Sequence, residues 1–255
     1  DPDVIRNKIA RSIHALIQDQ AGNYEVLGTD VIKEAYFPTE PAEIQKWLNR
    51  LLDEGRPLTC DIEAFSLKHP TSGIGTVTLC WSKNAGIAFS VDYEPIPNAI
   101  AAPFGIQKEN IIIRAMLKDF FEQCAKRDIK ITYHSISYDV YILIYQLFMS
   151  DLLDTKGLLY GLEVMLKNWD CTKLITYLAT NSCAGNKLSL KEQAQEFAGN
   201  YSLGEEIKDI RNIPLNQLLM YNLIDGCSTW FVKEKHWDQL VQDDQLEIYE
   251  TIFKP

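Results

Sequence analysis

Three short β-prone runs stand in succession between residues 58 and 91, Leu58-Thr-Cys-Asp-Ile-Glu63, Gly75-Thr-Val-Thr-Leu-Cys-Trp81 and Gly86-Ile-Ala-Phe-Ser-Val91, with helical periodicity on both sides of them. Neighbouring strands between amphipathic helices narrow the fold to a sheet covered by helices. Asn84-Ala85-Gly86 reads as the hairpin turn joining the second and third runs. Upstream, Thr39-Glu40-Pro41 opens a helix with Ile44, Trp47, Leu48, Leu51 and Leu52 on one face, and Gly55 ends it. Downstream, a loop containing Pro95, Pro97 and Pro103 leads to a helix over 108–127, with Ile112, Ile113, Met116, Leu117, Phe120 and Phe121 as its buried face. Ile129 to Tyr133 adds a strand. Helical patterns then cover 138–150, 158–167, 171–180, 188–198 and 214–240. The order predicts an α/β fold with a mixed central β-sheet flanked by helices.

At the N-terminus, Ile5, Ile9, Ile13, Leu16 and Ile17 give a one-sided amphipathic helix that must dock on something. Residues 1–39 are read as a helical extension and 40–255 as the main domain. The chain begins at Asp1 without Met and stops inside structured-looking sequence, so it is expected to be cut from a longer chain. The longest uncharged apolar run, Val140 to Met149, is about half of the ~20 residues a membrane helix requires. No signal segment opens the chain, which leads us to expect a cytoplasmic protein with no membrane partner. Six cysteines without a C-x-x-C pair are expected to be buried free thiols, not a zinc site or a disulfide framework. The formal charge of −10 argues against a nucleic-acid partner, because such binders usually carry a basic footprint.

Nucleotide-binding glycine motifs and a G-x-S-x-G nucleophile elbow are missing, and there are only four histidines. The carboxylates remain. Asp61 and Glu63 lie two apart in a strand and so share one face. At that separation they repel by about 1 kcal/mol in water and about 4 kcal/mol at an effective dielectric near 20, so they need solvent, protonation or a cation. A D-x-E triplet also arises by chance, and a second copy, Asp92-Tyr93-Glu94, is read as a solvated turn. Asp139 falls at a helix start, where capping is an ordinary role. Tyr221-Asn-Leu-Ile-Asp225 puts a phenol and a carboxylate on one helix face, a spacing that alone is more often a surface pair.

Taken together and in order, Asp61-x-Glu63, Tyr138-Asp139 and Tyr221-x-x-x-Asp225 resemble the three motifs of the DEDD 3′→5′ exonucleases, in the Tyr-bearing subclass. The ordered match is far more specific than any one motif. Pro57 to Phe65, His134 to Leu143, Trp169 to Ala179 and Leu246 to Pro255 extend the likeness to the proofreading domain of bacteriophage family A DNA polymerases, over about residues 40–255. The resemblance implies a ribonuclease H-like exonuclease fold and two divalent ions, Mg²⁺ or Mn²⁺, held by Asp61, Glu63, Asp139 and Asp225. It implies that Tyr221 orients the attacking water and that 5′-mononucleotides leave a single-stranded or frayed DNA 3′ end. It further implies a polymerase domain in the parent chain, a monomer, and a host-cell cytoplasm if the source is a phage.

The family pattern has Asn at the position of Ser135, a departure that shortens the reach of a side chain used on the terminal nucleotide. Phe65 and Leu67 are candidates to wedge against terminal bases, with core packing an equal alternative. His134 is a candidate substrate contact, or a residue satisfying a local hydrogen bond. Asp170 is read equally as a family acid or as the N-cap of a helix starting at Cys171. Lys68, Lys187, Lys191 and Arg211 are phosphate-contact candidates with no motif behind them. Two further readings stand beside this one: an RNase D-like RNA 3′ exonuclease, and a catalytically silent DEDD-like protein-binding domain. Two divalent ions would offset four of the excess negative charges, and a domain gripping only a few 3′ nucleotides needs few phosphate contacts.

Overall fold

Proline and glycine set the limits of the first long helix. After a three-residue strand, β1 (Glu34–Tyr36), helix α1 (Pro41–Glu54) begins on Pro41, whose missing N–H is no loss in a first turn. It ends at Gly55, whose φ of 61° lets its N–H reach the Leu51 carbonyl. Ile44, Leu48, Leu51 and Leu52 are buried, as their spacing predicts. Strands β2 (Leu58–Glu63), β3 (Thr76–Ser82) and β4 (Ala85–Ser90) follow, then a small hairpin of β5 (Tyr93–Pro95) and β6 (Gly105–Gln107). Helix α2 (Ile111–Lys126) is capped by Asn110, whose Oδ1 accepts the Ile113 N–H at 3.1 Å. Then come β7 (Ile131–Tyr133), α3 (Ile136–Phe148), α4 (Thr155–Met165), β8 (Trp169–Cys171) and α5 (Thr172–Ala179). The short turns α6 (Leu190–Gln193) and α7 (Gln195–Ala198) precede the 28-residue α8 (Leu215–Gln242) and α9 (Leu246–Ile248). The computed structural model describes residues 6, 9–10, 12–14, 16–17, 28, 31–180, 187–199, 207 and 209–254.

Six strands form one sheet in the order β1-β4-β3-β2-β7-β8. The pairs β1/β4, β2/β7 and β7/β8 are parallel, and β2/β3 and β3/β4 antiparallel, so the sheet is mixed as expected. Strand alternation separates two interiors. Leu58, Cys60 and Ile62 of β2 and Val77, Leu79 and Trp81 of β3 join the core built with α1, α2 and α3. Thr59, Asp61 and Glu63 alternate with them, toward α8. That helix sits unusually near the strands at Gly226, where a Cβ would come within 2.7 Å of Cys80 Sγ and Thr78 Cγ2. Thr59 Oγ1 donates to the Gly226 carbonyl at 2.8 Å. A glycine is therefore what lets α8 bring Asp225 down onto β2.

Several expectations need correction. The hairpin turn is Lys83-Asn84, and Gly86 lies inside β4, where a Cβ would come 2.6 Å from Cys80 Sγ and 2.9 Å from Leu223 Cδ1. The pattern over 188–198 forms two four-residue turns, with Ala194 between them. Ile112 is exposed rather than part of the α2 buried face. Residues 34–36, assigned to the N-terminal extension, supply strand β1, and Val31 joins the interior beneath α8. Ile9, Ile13, Leu16 and Ile17 are helical yet more than half exposed; Ile5 lies outside the described residues. Five cysteines are free and buried as expected, and Cys183 lies outside the described residues. Among the described residues no helix is long and apolar enough to cross a membrane.

Asp170 is not a helix N-cap. It is fully buried in strand β8, with the ammonium groups of Lys233, Lys130 and Lys254 at 2.7, 3.3 and 3.4 Å and the Tyr249 hydroxyl donating to it at 3.1 Å. Burial pushes its pKa up, but the three lysines, Lys233 foremost, more than offset this and hold it below the usual carboxylate value. It is a structural counter-ion that ties α8 and the C-terminal turn to the sheet edge.

Candidate active site

Three elements deliver the acids. Asp61 and Glu63 leave the C-terminal half of β2 on the α8 side, and Asp225 comes from α8 just before Gly226. One carboxylate oxygen from each of Asp61, Glu63 and Asp225 lies within 4.8 Å of the other two. Asp139 stands in the first turn of α3, and β7, which leads into α3, pairs in parallel with β2 through Leu58/Ile131 and Thr59/Thr132. The turn is fixed by the Ser135 carbonyl, which accepts the Tyr138 and Asp139 N–H groups at 3.0 and 3.2 Å. Tyr221 lies one helical turn before Asp225 on the same face of α8.

The electrostatics of this cluster are those of crowded anions. Burial, and then the neighbouring carboxylates, push the pKa values of Asp61, Glu63 and Asp139 well above the usual range. Asp139 lies outside the 4.8 Å trio, yet after burial its shift is caused by Asp61, Glu63 and Asp225 in that order. Lys191 is the cation that offsets the repulsion at Asp61 and Glu63. Asn222 donates from Nδ2 to Asp61 Oδ2 at 2.7 Å and accepts from Thr76 Oγ1 at 3.1 Å, which fixes the orientation of Asp61. The same acids, behind burial, raise the Tyr221 phenol above its ordinary value and push Tyr138 up to about 12. Tyr221 is therefore a hydroxyl, not a phenolate, at neutral pH. Hard oxygen donors that repel one another when ionised fit a divalent cation of the Mg²⁺ or Mn²⁺ kind.

A pH dependence follows from these raised values. The folded acids hold protons more tightly than the unfolded ones, so the stability they contribute is complete below the ordinary carboxylate range and is lost as pH rises through their raised values. In chelator the melting temperature should fall as pH rises above the ordinary carboxylate range, since each tenfold gain in proton affinity on folding is worth about 1.4 kcal/mol per group. Saturating Mg²⁺ should flatten or reverse that trend, because it binds the ionised acids. Calorimetric melts across this rise in pH with and without metal make the comparison, and identical slopes in the two series would contradict the metal-site reading.

The remaining site expectations divide. Phe65 is buried, stacks on Tyr93 with ring centroids 6.2 Å apart, and packs with Ile210 and Leu218, so it belongs to the core and not to a substrate wedge. Leu67 is 82% exposed in the loop after β2 and remains able to meet a ligand. His134 Nδ1 lies 2.9 Å from Thr172 Oγ1, and burial lowers its pKa to about 4, which leaves a neutral ring engaged locally. Ser135 occupies the N-cap position of α3 without a side-chain capping bond. Lys187 pairs with Glu192 and Arg211 with Asp209, Lys68 is exposed, and Lys191 reaches the acids.

The second D-x-E copy is no solvated turn. Asp92 is fully buried, accepting the N–H groups of Ile74 and Asn110 at 2.7 and 3.0 Å and pairing with Arg114 at 2.6 Å. Asn222 is a site residue that no motif announces. Its one signal is a polar side chain on the buried stripe of α8, flanked by Leu218, Leu219 and Leu223.

No protein-family profile matches the sequence, and no curated protein matches it. Solved structures do. A nuclease in its apo form is 15% identical over 86% of this chain and 87% of its own, with a TM-score of 0.53. Brucella melitensis NrnC bound to pGG is 16% identical over 87% of each chain, at 0.51, and NrnC with bound Mg²⁺ gives the same TM-score. The catalytic core of RRP6 from Trypanosoma brucei is 13% identical over 87% of this chain and 53% of its own, at 0.54. At these identities the likeness establishes the fold. It is the ribonuclease H-like exonuclease fold, a mixed sheet flanked by helices.

Proposed function

We propose that the protein is a metal-dependent 3′→5′ exonuclease that removes 5′-mononucleotides from single-stranded or frayed DNA ends, as the editing domain of a DNA polymerase. The observation that carries this reading is the convergence of Asp61, Glu63 and Asp225, with Asp139 electrostatically coupled to them and Tyr221 beside them. The DNA and polymerase parts are supported by the motif-bearing segments of the sequence.

Asp61, Glu63, Asp139 and Asp225 would hold two divalent ions. When bound, such ions supply Lewis acidity toward the phosphodiester and the attacking water. The protein's own groups do the rest. Asn222, anchored by Thr76, holds Asp61 in one orientation. The Tyr221 hydroxyl can accept one hydrogen bond and donate another, and so aims the attacking water. Leu67 offers an exposed apolar surface to the terminal base, and the Ser135 hydroxyl, not engaged in capping, can hydrogen-bond the terminal nucleotide.

A second reading, an RNase D-like RNA 3′ exonuclease using the same acids, is favoured by the similarity of fold to NrnC solved with pGG. Sugar choice rests on contacts to the 2′-OH, so one assay separates the two. The protein is incubated with 5′-labelled single-stranded DNA and RNA oligomers, with Mg²⁺ or chelator. A DNA ladder shortened from the 3′ end only with metal supports the proposal; trimming of RNA alone supports the second reading, and neither ladder would refute both.

Tyr221→Phe separates water positioning from metal holding. It should slow trimming about 10- to 100-fold, the usual cost of losing a group that supports a metal site from outside its ligands, and change Mn²⁺ affinity far less. An unchanged rate would remove Tyr221 from the reaction.

A further inference from the structure

Lys191 has no part in the chemistry above, yet it reaches the acids. It stands on α6, a single turn held by Ser189, whose hydroxyl accepts the Glu192 N–H at 3.3 Å, and by the buried Leu190. Its ammonium forms an ion pair with Asp225 Oδ1 and lies 4.2 Å from the centroid of the Tyr221 ring. Its side chain is 30% exposed, so solvent is open to it.

We propose that Lys191 is a tethered counter-cation for Asp225 that a divalent ion must displace, and that it thereby sets the metal concentration at which the centre fills. The inference rests on the metal-site reading above. An ammonium and a divalent ion cannot both sit against one carboxylate oxygen without strong mutual repulsion. A lysine suits this exchange, being a compact charge on a flexible four-carbon stem, able to withdraw without moving the backbone. The Tyr221 ring face steadies the ammonium while it pairs with Asp225, and the part-exposed side chain leaves solvent open to it once it is displaced. Without metal, the lysine relieves the crowding of Asp61, Glu63 and Asp225.

The test is calorimetric titration of the whole protein with Mn²⁺, alongside melting in chelator. Lys191→Met should bind Mn²⁺ about tenfold more tightly, a usual size for coupling between two ligands, and should melt at a lower temperature than wild type in chelator. Lys191→Arg should keep the wild-type affinity within a few-fold. In an Asp225→Asn background the Lys191→Met effect on affinity should vanish. Unchanged or weaker Mn²⁺ binding by Lys191→Met, in a protein whose Mn²⁺ binding is measurably weakened by Asp225→Asn, would overturn the inference and leave the metal-site reading standing. A wild type that takes up no Mn²⁺, or whose uptake ignores Asp225→Asn, would overturn both.

Discussion

Asp61→Ala is expected to slow metal-dependent 3′-end trimming by about a thousandfold or more, while the protein melts in chelator at or above the wild-type temperature. The two halves of this result have different causes. A ligand that helps place divalent ions supports several kcal/mol of transition-state stabilisation, and each 1.4 kcal/mol is about a factor of ten in rate. In the folded, metal-free protein the same carboxylate is a liability, because Glu63 and Asp225 crowd it. Removing it relieves that repulsion, and Asn222 still keeps Thr76 as a partner. Timed ladders on 5′-labelled DNA and melting curves read both quantities. Trimming at the wild-type rate would sink the site assignment, and a large fall in melting temperature would show that Asp61 is structural.

Asp92→Ala is expected to give the opposite profile, although Asp92 opens the same D-x-E triplet. Its carboxylate is fully buried, neutralises Arg114 and accepts the Ile74 and Asn110 N–H groups. Its loss leaves two backbone donors without their acceptor and a mostly buried guanidinium with only the exposed Glu109 and the Gln146 carbonyl as partners. Breaking a buried pair of this kind costs about 3–5 kcal/mol, or about 10 °C in a domain of this size. Trimming at a temperature where the variant is still folded should stay within a few-fold of wild type, since Asp92 faces none of the catalytic groups named above. Melting unchanged within about 2 °C would contradict the structural role.

The contrast between these triplets shows what local sequence can carry. Asp61 and Glu63 are legible as a candidate site because β2 alternation puts both on one face and the ordered motifs around Asp139 and Tyr221 supply partners. Asp92 reads wrongly as solvated because nothing within its own segment announces Arg114, which lies 22 residues on in another element. Asp170 misleads for the same reason: its three lysines come from residues 130, 233 and 254, and only the sheet edge brings them together. Phe65 follows the strand that carries Asp61 and Glu63 and so invites a substrate role, but its burial against Tyr93 and Leu218 depends on the packing of α8.

Helix α1 is legible to its ends because Pro41 and Gly55 terminate it. Of the three-residue strands, β7 is legible because the β-prone run from Ile129 extends it, whereas β1, β5, β6 and β8 are not, because a run so short carries no period and exists through its neighbours' hydrogen bonds. Lys191 has no motif behind it. Its meaning comes from the position of α6 against α8, which is set by tertiary packing.

Diffraction from crystals soaked in Mn²⁺, collected where manganese scatters anomalously, tests the metal centre directly. Two anomalous peaks enclosed by Asp61, Glu63, Asp139 and Asp225, with the Lys191 ammonium withdrawn from Asp225, are the predicted result. Crystals with no manganese at these carboxylates, from protein that trims DNA at full rate in the same Mn²⁺ buffer, would contradict it.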